Sequence, residues 1–141
     1  MGKVMQRITL TNIEDHFAVE AGRLAPAHVR RVELDALIDT GATTLALPAD
    51  IVGALGARAE GTKKVKYADG RVAEVPWVTL RLEILGRPMS CDAVVQPAGT
   101  APLIGQIPLE ALDLRVDPKT CSLYVNPESP DVPLLELLAV A

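Results

Sequence analysis

Leu34-Asp35-Ala36-Leu37-Ile38-Asp39-Thr40-Gly41-Ala42-Thr43-Thr44-Leu45-Ala46-Leu47 is the stretch whose reading decides the fold. Val32, Leu34, Ala36 and Ile38 alternate with Arg31, Glu33 and Asp35, the period of a half-buried strand over residues 29–38. That strand delivers Asp39. An acid, a hydroxyl residue and a glycine interrupt the apolar run, which resumes as a second strand over residues 43–47. Such a loop aims a carboxylate outward while the apolar residues on both sides anchor it in a core, and Gly41 permits a close backbone approach. Two carboxylates held face to face cannot both ionise, so one stays protonated and the other can activate a water. The Asp-Thr-Gly triplet occurs once. One chain therefore supplies half of a catalytic dyad, and the other half has to come from a second chain.

Working outward, residues 6–11 alternate as a strand with Ile8 and Leu10 facing inward. Asn12 is placed to cap a short helix through Ala21, with Asp15 at the capping-box position and Gly22 to stop it, and residues 23–27 read as a loop. Beyond the central stretch, Pro48 suits the first turn of a brief helix that places Ile51, Val52 and Leu55 on one face and ends at Gly56. Asp69-Gly70 signals a two-residue hairpin between a strand over residues 62–67 and one beginning at Arg71, and Pro76 marks an edge or a bulge. Residues 77–84 alternate cleanly, turn at Leu85-Gly86-Arg87-Pro88 and are answered by the apolar run 89–95. A Pro/Gly loop over 96–102 leads to Leu103-Ile104-Gly105 and a helix of about two turns over 108–112. Residues 114–116 and 121–125 flank Asp117-Pro118-Lys119-Thr120 as a last hairpin. From Asn126 the prolines forbid a further strand, yet residues 134–140 are apolar enough to need a covering surface.

Composition narrows the function classes. The 141 residues make one domain, expected over 1–125, with 126–141 as a Pro-rich linker and apolar tail. Apolar residues reach 49% while aromatics are 3%, so the core is aliphatic, and the apolar excess points to a buried subunit interface. Net charge is −4 without a cluster of Lys and Arg large enough for nucleic acid, and no apolar run is long enough for a membrane span. No signal-type stretch follows Met1, so a cytoplasmic protein is the expectation. Arg30-Arg31 and Lys63-Lys64-Lys66 read as solvated strand faces that resist edge pairing. Cys91 and Cys121 read as buried free thiols. His16 and His28 have no acid or thiol at zinc-ligand spacing, so no metal or other cofactor is expected. Ser90 and Cys91 lack a glycine elbow or a placed histidine to make them nucleophiles.

The Asp39-Thr40-Gly41-Ala42 loop, followed by Pro102-Leu103-Ile104-Gly105-Gln106-Ile107-Pro108-Leu109, resembles the two signatures of the aspartic proteases, and the short chain resembles their retropepsin-like, single-domain branch (clan AA). Residues 63–75 look like the flap hairpin of that family. The resemblance runs over about residues 32–125 and leaves the first thirty residues and the last fifteen without a matched motif. It implies an all-β fold, a single-lobe closed β-barrel with one or two short helices that pairs as a two-fold homodimer, and the lack of an internal repeat agrees with that. The implied activity is aspartic endopeptidase, with Asp39 catalytic and Thr40, Gly41 and Ala42 in the active-site loop. Tyr67, Ala68, Asp69 and Gly70 would form the flap over the substrate, and Leu103, Ile104 and Gly105 would support the loop. The implied partners are a second copy of the chain and a peptide or protein substrate. Asp69 with Lys66 and Arg71 departs from the glycine-rich flaps of viral relatives. A catalytically silent, dimeric peptide-binding or scaffolding module of the same fold is the alternative.

Overall fold

The computed structural model describes residues 2–137, and its first strand sets the frame. β1 (Met5–Asn12) pairs antiparallel with β2 (Arg31–Ile38), with Ile8, Leu10, Ala36 and Ile38 buried on one face as their alternation dictates. α1 (Ile13–Glu20) connects them. Asn12 caps it by accepting from the Asp15 N–H at 2.9 Å, and Gly22 follows with φ +71°. The expected capping box does not close. The Asp15 carboxylate takes the Arg30 N–H at 2.9 Å and the guanidinium Nε and Nη2 at 2.8 and 3.0 Å, while the Asn12 N–H donates to the Arg30 carbonyl at 3.0 Å. Three donors, two of them charged, outweigh a single backbone N–H. Those bonds hold the Asp15 carboxyl below the usual carboxylate range. Pro26–His28 form a turn of 3₁₀ helix where a loop was expected.

β3 (Leu45–Pro48) begins two residues later than the sequence suggests, and Pro48 ends it rather than opening α2 (Ala49–Leu55). Val52 and Leu55 are buried, and Gly56 ends α2 in the left-handed conformation at φ +61°. β4 (Gly61–Lys66) and the long β5 (Val72–Ile84) form a hairpin, with Lys63, Lys64 and Lys66 exposed along β4. β6 (Arg87–Gln96) returns from β5 through Leu85 and Gly86 alone, both at positive φ, as a tight hairpin turn demands. Arg87 is therefore not a turn residue. It is 4% exposed and donates to the carbonyls of Leu112 at 2.8 Å, Asp113 at 3.4 Å and Ser129.

The seven strands of the main sheet lie in the order β1-β2-β7-β3-β6-β5-β4, where β7 is Leu103–Ile104, and β1 also pairs with β5 through residues 80–84. β7 runs parallel to β2 and antiparallel to β3, while β3 runs parallel to β6. α3 (Gln106–Ala111) follows, and β8 (Leu114–Asp117) with β9 (Ser122–Val125) forms a separate hairpin. Among the described residues there are three α-helices rather than one or two, all short, so the fold is mostly β. None is long and apolar enough to cross a membrane. Leu45, Leu47, Leu80, Leu82, Ile84 and Ile104 fill the aliphatic core, and the aromatics stay at its margins or outside. Cys91 is a buried thiol pushed up to about 12 by its burial and then by Asp92, whereas Cys121 is only partly buried.

Among the described residues the chain after β9 adds no strand, yet it is anchored. Asp113 accepts from Asn126 Nδ2 at 3.0 Å, Ser129 Oγ at 2.7 Å and the Leu134 N–H at 3.1 Å, with Arg115 at 3.4 Å. Leu134, Leu135 and Leu137 stay exposed, and residues 138–141 of the apolar tail lie outside the described residues. The Ser129 hydroxyl, then the Leu134 N–H, Asn126 and Arg115, hold the Asp113 carboxyl below its ordinary 3.8 against the opposing effect of burial. A lowered folded-state value stabilises the protein above the unfolded value, and that stability drains as pH falls through the folded one. Urea titrations of the parent and Asp113→Asn are expected to differ at neutral pH, the variant being weaker, and to converge as pH falls below 3.8. A gap that persists at acid pH would refute the role given to this carboxylate.

Candidate active site

β2 ends at Ile38, and the Asp39 N–H continues the pairing by donating to the Ile104 carbonyl at 2.9 Å. The chain then turns. Asp39 Oδ1 accepts from the Gly41 N–H at 3.0 Å and the Asp39 carbonyl from the Ala42 N–H at 3.1 Å, so the carboxylate is held by its own loop. Asp39 is half-buried, Thr40 and Gly41 are exposed, and Ala42 is half-buried. Among the described residues the Gly41 N–H is the one group hydrogen-bonded to the Asp39 carboxylate.

The loop and α3 satisfy each other's backbone groups. The first N–H groups of a helix have no partner within it. Gly105 caps α3 without a side chain, and the Gln106 and Ile107 N–H groups donate instead to the carbonyls of Ala42 at 2.8 Å and Thr43 at 2.9 Å. Gly105 allows this contact by its size, because its φ of −89° suits any residue. A Cβ there would lie 2.5 Å from the Thr44 carbonyl oxygen, 2.6 Å from the Thr44 nitrogen and 2.7 Å from the Ala42 carbonyl oxygen. At Gly41, where the sequence suggested a close approach, a Cβ would lie 3.3 Å from Asp39 Oδ1. The tighter constraint belongs to Gly105. Leu103, Ile104 and Gly105 are thus brought against the Asp39 loop.

A row of apolar residues crosses the face of the sheet opposite the core. Register places Leu37 beside Leu103, Leu103 beside Ala46, Ala46 beside Val94 and Val94 beside Trp77. Leu37 stands two positions before Asp39, so this row forms a floor leading away from the carboxylate. The β4–β5 hairpin folds over it, with Val65, Ala73 and Val75 packed in one cluster with Ala46, Val94 and Leu103. At its tip Ala68, Asp69 and Gly70 are exposed. The tip is a three-residue loop rather than the expected two: the Tyr67 N–H donates to the Arg71 carbonyl at 2.8 Å, Asp69 accepts from the Arg71 N–H at 2.9 Å, and Gly70 takes φ +85°.

Sequence reasoning missed Ala46, Val94, Gln106 and Ile107. Nothing in local pattern marks an alanine as floor, and the role of Gln106 and Ile107 lies in backbone N–H groups that every residue carries. Thr44 is a further omission, its hydroxyl donating to the Asp92 carbonyl at 3.0 Å. Gly105→Ala is expected to force the loop and α3 apart and to destabilise the protein by roughly 1–3 kcal/mol, the usual range for overpacking. Urea unfolding checks it; an unchanged midpoint would mean that the contact yields without cost.

Residues 25–111, more than half of the chain, match the family described as gag-polyprotein putative aspartyl protease. No match is found among curated proteins. Among solved structures, the EIAV protease complexed with the inhibitor HBY-793 aligns at 22% identity over 55% of this chain and 74% of its own, with a TM-score of 0.49. On the strength of the family match, which spans the Asp39 loop, the hairpin and the Leu103-Ile104-Gly105 segment alike, the chain belongs to the retropepsin-like aspartyl proteases.

Proposed function

We propose that the chain is an aspartic endopeptidase whose working unit is a homodimer, with one Asp39 from each copy at a shared site. The observation that carries this reading is the Asp39 loop itself, a half-buried carboxylate fixed by backbone bonds and, among the described residues, bonded to no second acid. A two-fold axis at this loop sets each copy against itself, because an isologous contact uses the same patch twice. β1 pairs with β5 as well as with β2, which ties the strand beside β2 to the far side of the sheet and supports a braced loop as the two copies meet. Thr40, exposed beside Asp39, bonds across the axis, and Gly41 and Ala42 keep the approach to the substrate narrow.

In this mechanism the ionised Asp39 takes a proton from a bound water, whose oxygen attacks the scissile carbonyl carbon. The protonated Asp39 of the second copy donates to the carbonyl oxygen. A tetrahedral intermediate forms and no covalent bond to the protein is made. Collapse expels the amine, which leaves with a proton returned by the dyad. The substrate lies extended along the floor of Leu37, Leu103, Ala46 and Val94, with the hairpin closing over it to exclude water. Because one carboxylate has to be ionised and the other protonated, activity falls on both the acid and the alkaline side, and both limbs belong to the pair.

Asp39→Asn is expected to lower cleavage of unfolded protein by at least about a hundredfold, the lower end for loss of general acid-base catalysis. Sedimentation of the same samples is expected to show a dimer in both. Cleavage by the variant at the parent rate removes the dyad, and binding of peptide without turnover by the parent supports the silent module instead.

A further inference from the structure

The hairpin has a held root and, among the described residues, a tip tied to the rest of the sheet by one polar contact. At the root, β5 pairs with β6 only from Trp77 onward, and Pro76 just before it faces β4 alone. Lys63 Nζ bonds Asp92 Oδ2 at 3.1 Å and sits 4.5 Å over the Trp77 ring, which holds this end to the body of the sheet. On the tip side of Pro76, β5 has β4 as its one strand partner. At the tip, the Tyr67 hydroxyl donates to Gln96 Oε1 at 2.8 Å, across to the last residue of β6. The acceptor is oriented, since Gln96 Nε2 donates to the Val95 carbonyl at 3.2 Å and leaves Oε1 toward the tyrosine. The donor is oriented too, by the Tyr67 N–H bond to Arg71 and by the Arg71 guanidinium 4.5 Å over the ring.

Between root and tip, the underside of the hairpin occupies the floor. Val65, Ala73 and Val75 pack against Ala46, Val94 and Leu103, leaving Ala46 8% and Val94 7% exposed. A chain laid over those residues has to lift the hairpin first. We propose that Tyr67 and Gln96 form a latch that, added to the apolar packing of Val65, Ala73 and Val75, holds the hairpin shut in the unoccupied protein, and that an arriving peptide opens it by breaking this hydrogen bond and taking the place of the hairpin's underside on the floor. The proposal rests on the peptide-binding reading of the cleft given above. Both latch residues are half-buried, where water competes for them. A hydrogen bond of net modest strength shifts a closed-to-open equilibrium by about two- to tenfold, enough to keep the cleft covered and weak enough to yield. The apparent affinity for a peptide is lowered by the fraction of molecules that are open.

Tyr67→Phe removes the hydroxyl and keeps the ring under Arg71, and Gln96→Ala removes the acceptor. In the unoccupied protein, methyl NMR is expected to show weaker Overhauser contacts between Val75 and Val94 in either variant. With dye-labelled casein as the probe, KM is expected to fall about two- to tenfold in either variant, with kcat moving less, and the double variant to go no further than the single ones. Methyl contacts and KM equal to the parent's in Tyr67→Phe overturn the latch, as do two single effects that simply add. If the parent does not cleave casein, the proteolytic reading falls by itself; the methyl contacts then decide the latch alone, their loss supporting it and their retention overturning it.

Discussion

The approach of Gly105 to the backbone of Ala42 and Thr44 is the constraint on which the rest of the structure depends. A loop that exposes a carboxylate has carbonyls left over, and a helix without a side-chain cap has N–H groups left over. Here each set is the partner of the other. Unpaired, these groups would carry the full cost of burial without a hydrogen bond. Two residues of β7 make the arrangement possible, because they lie parallel to β2 on one side and antiparallel to β3 on the other. The position of Asp39 is thus set by segments some distance apart in the chain.

The same sheet packs the core with one face and the β4–β5 hairpin with the other. Leu45, Leu47 and Ala93 point into the packed core, while Ala46 and Val94, their immediate neighbours, line the floor beside Asp39. Close packing of the first face makes the second rigid. β5 takes part in both arrangements. Its first half, with Ala73 and Val75, belongs to the hairpin above the floor, and its second half, with Val78, Leu80 and Leu82, belongs to the core. A proline at the junction fits because that stretch of strand has a neighbour on one side only. Away from the hairpin, Arg87 and Asp113 gather carbonyls and donors from the link between α3 and β8, from β8 and from the segment beyond β9, so residues 126–134 are held by buried polar groups.

Much of this was legible in residue order. The alternation of β1, β2 and β5, the Asn12 cap, the left-handed Gly56 and the last hairpin all follow from local chemistry, which acts between near neighbours in sequence. Errors fell where a distant group competed with a local one. Asp15 turned from its own helix because Arg30 offered charged donors, and Arg87 left its expected turn because three carbonyls from two later segments converged on it. The hairpin tip gained a residue because Tyr67 closes the pairing with Arg71 before the Asp-Gly pair is reached.

The order of residues by itself determined that an acid, a hydroxyl and a glycine would leave a buried strand in a tight loop, that a second apolar pair and a glycine would follow, and that the core would be aliphatic. Family membership follows from those same letters. Which glycine bears the close contact, which small residues form the floor, and how a tyrosine meets a glutamine across the hairpin were decided only by tertiary structure. Periodicity reports which face a side chain takes; it carries no information about which strand, turned which way, arrives to meet that face.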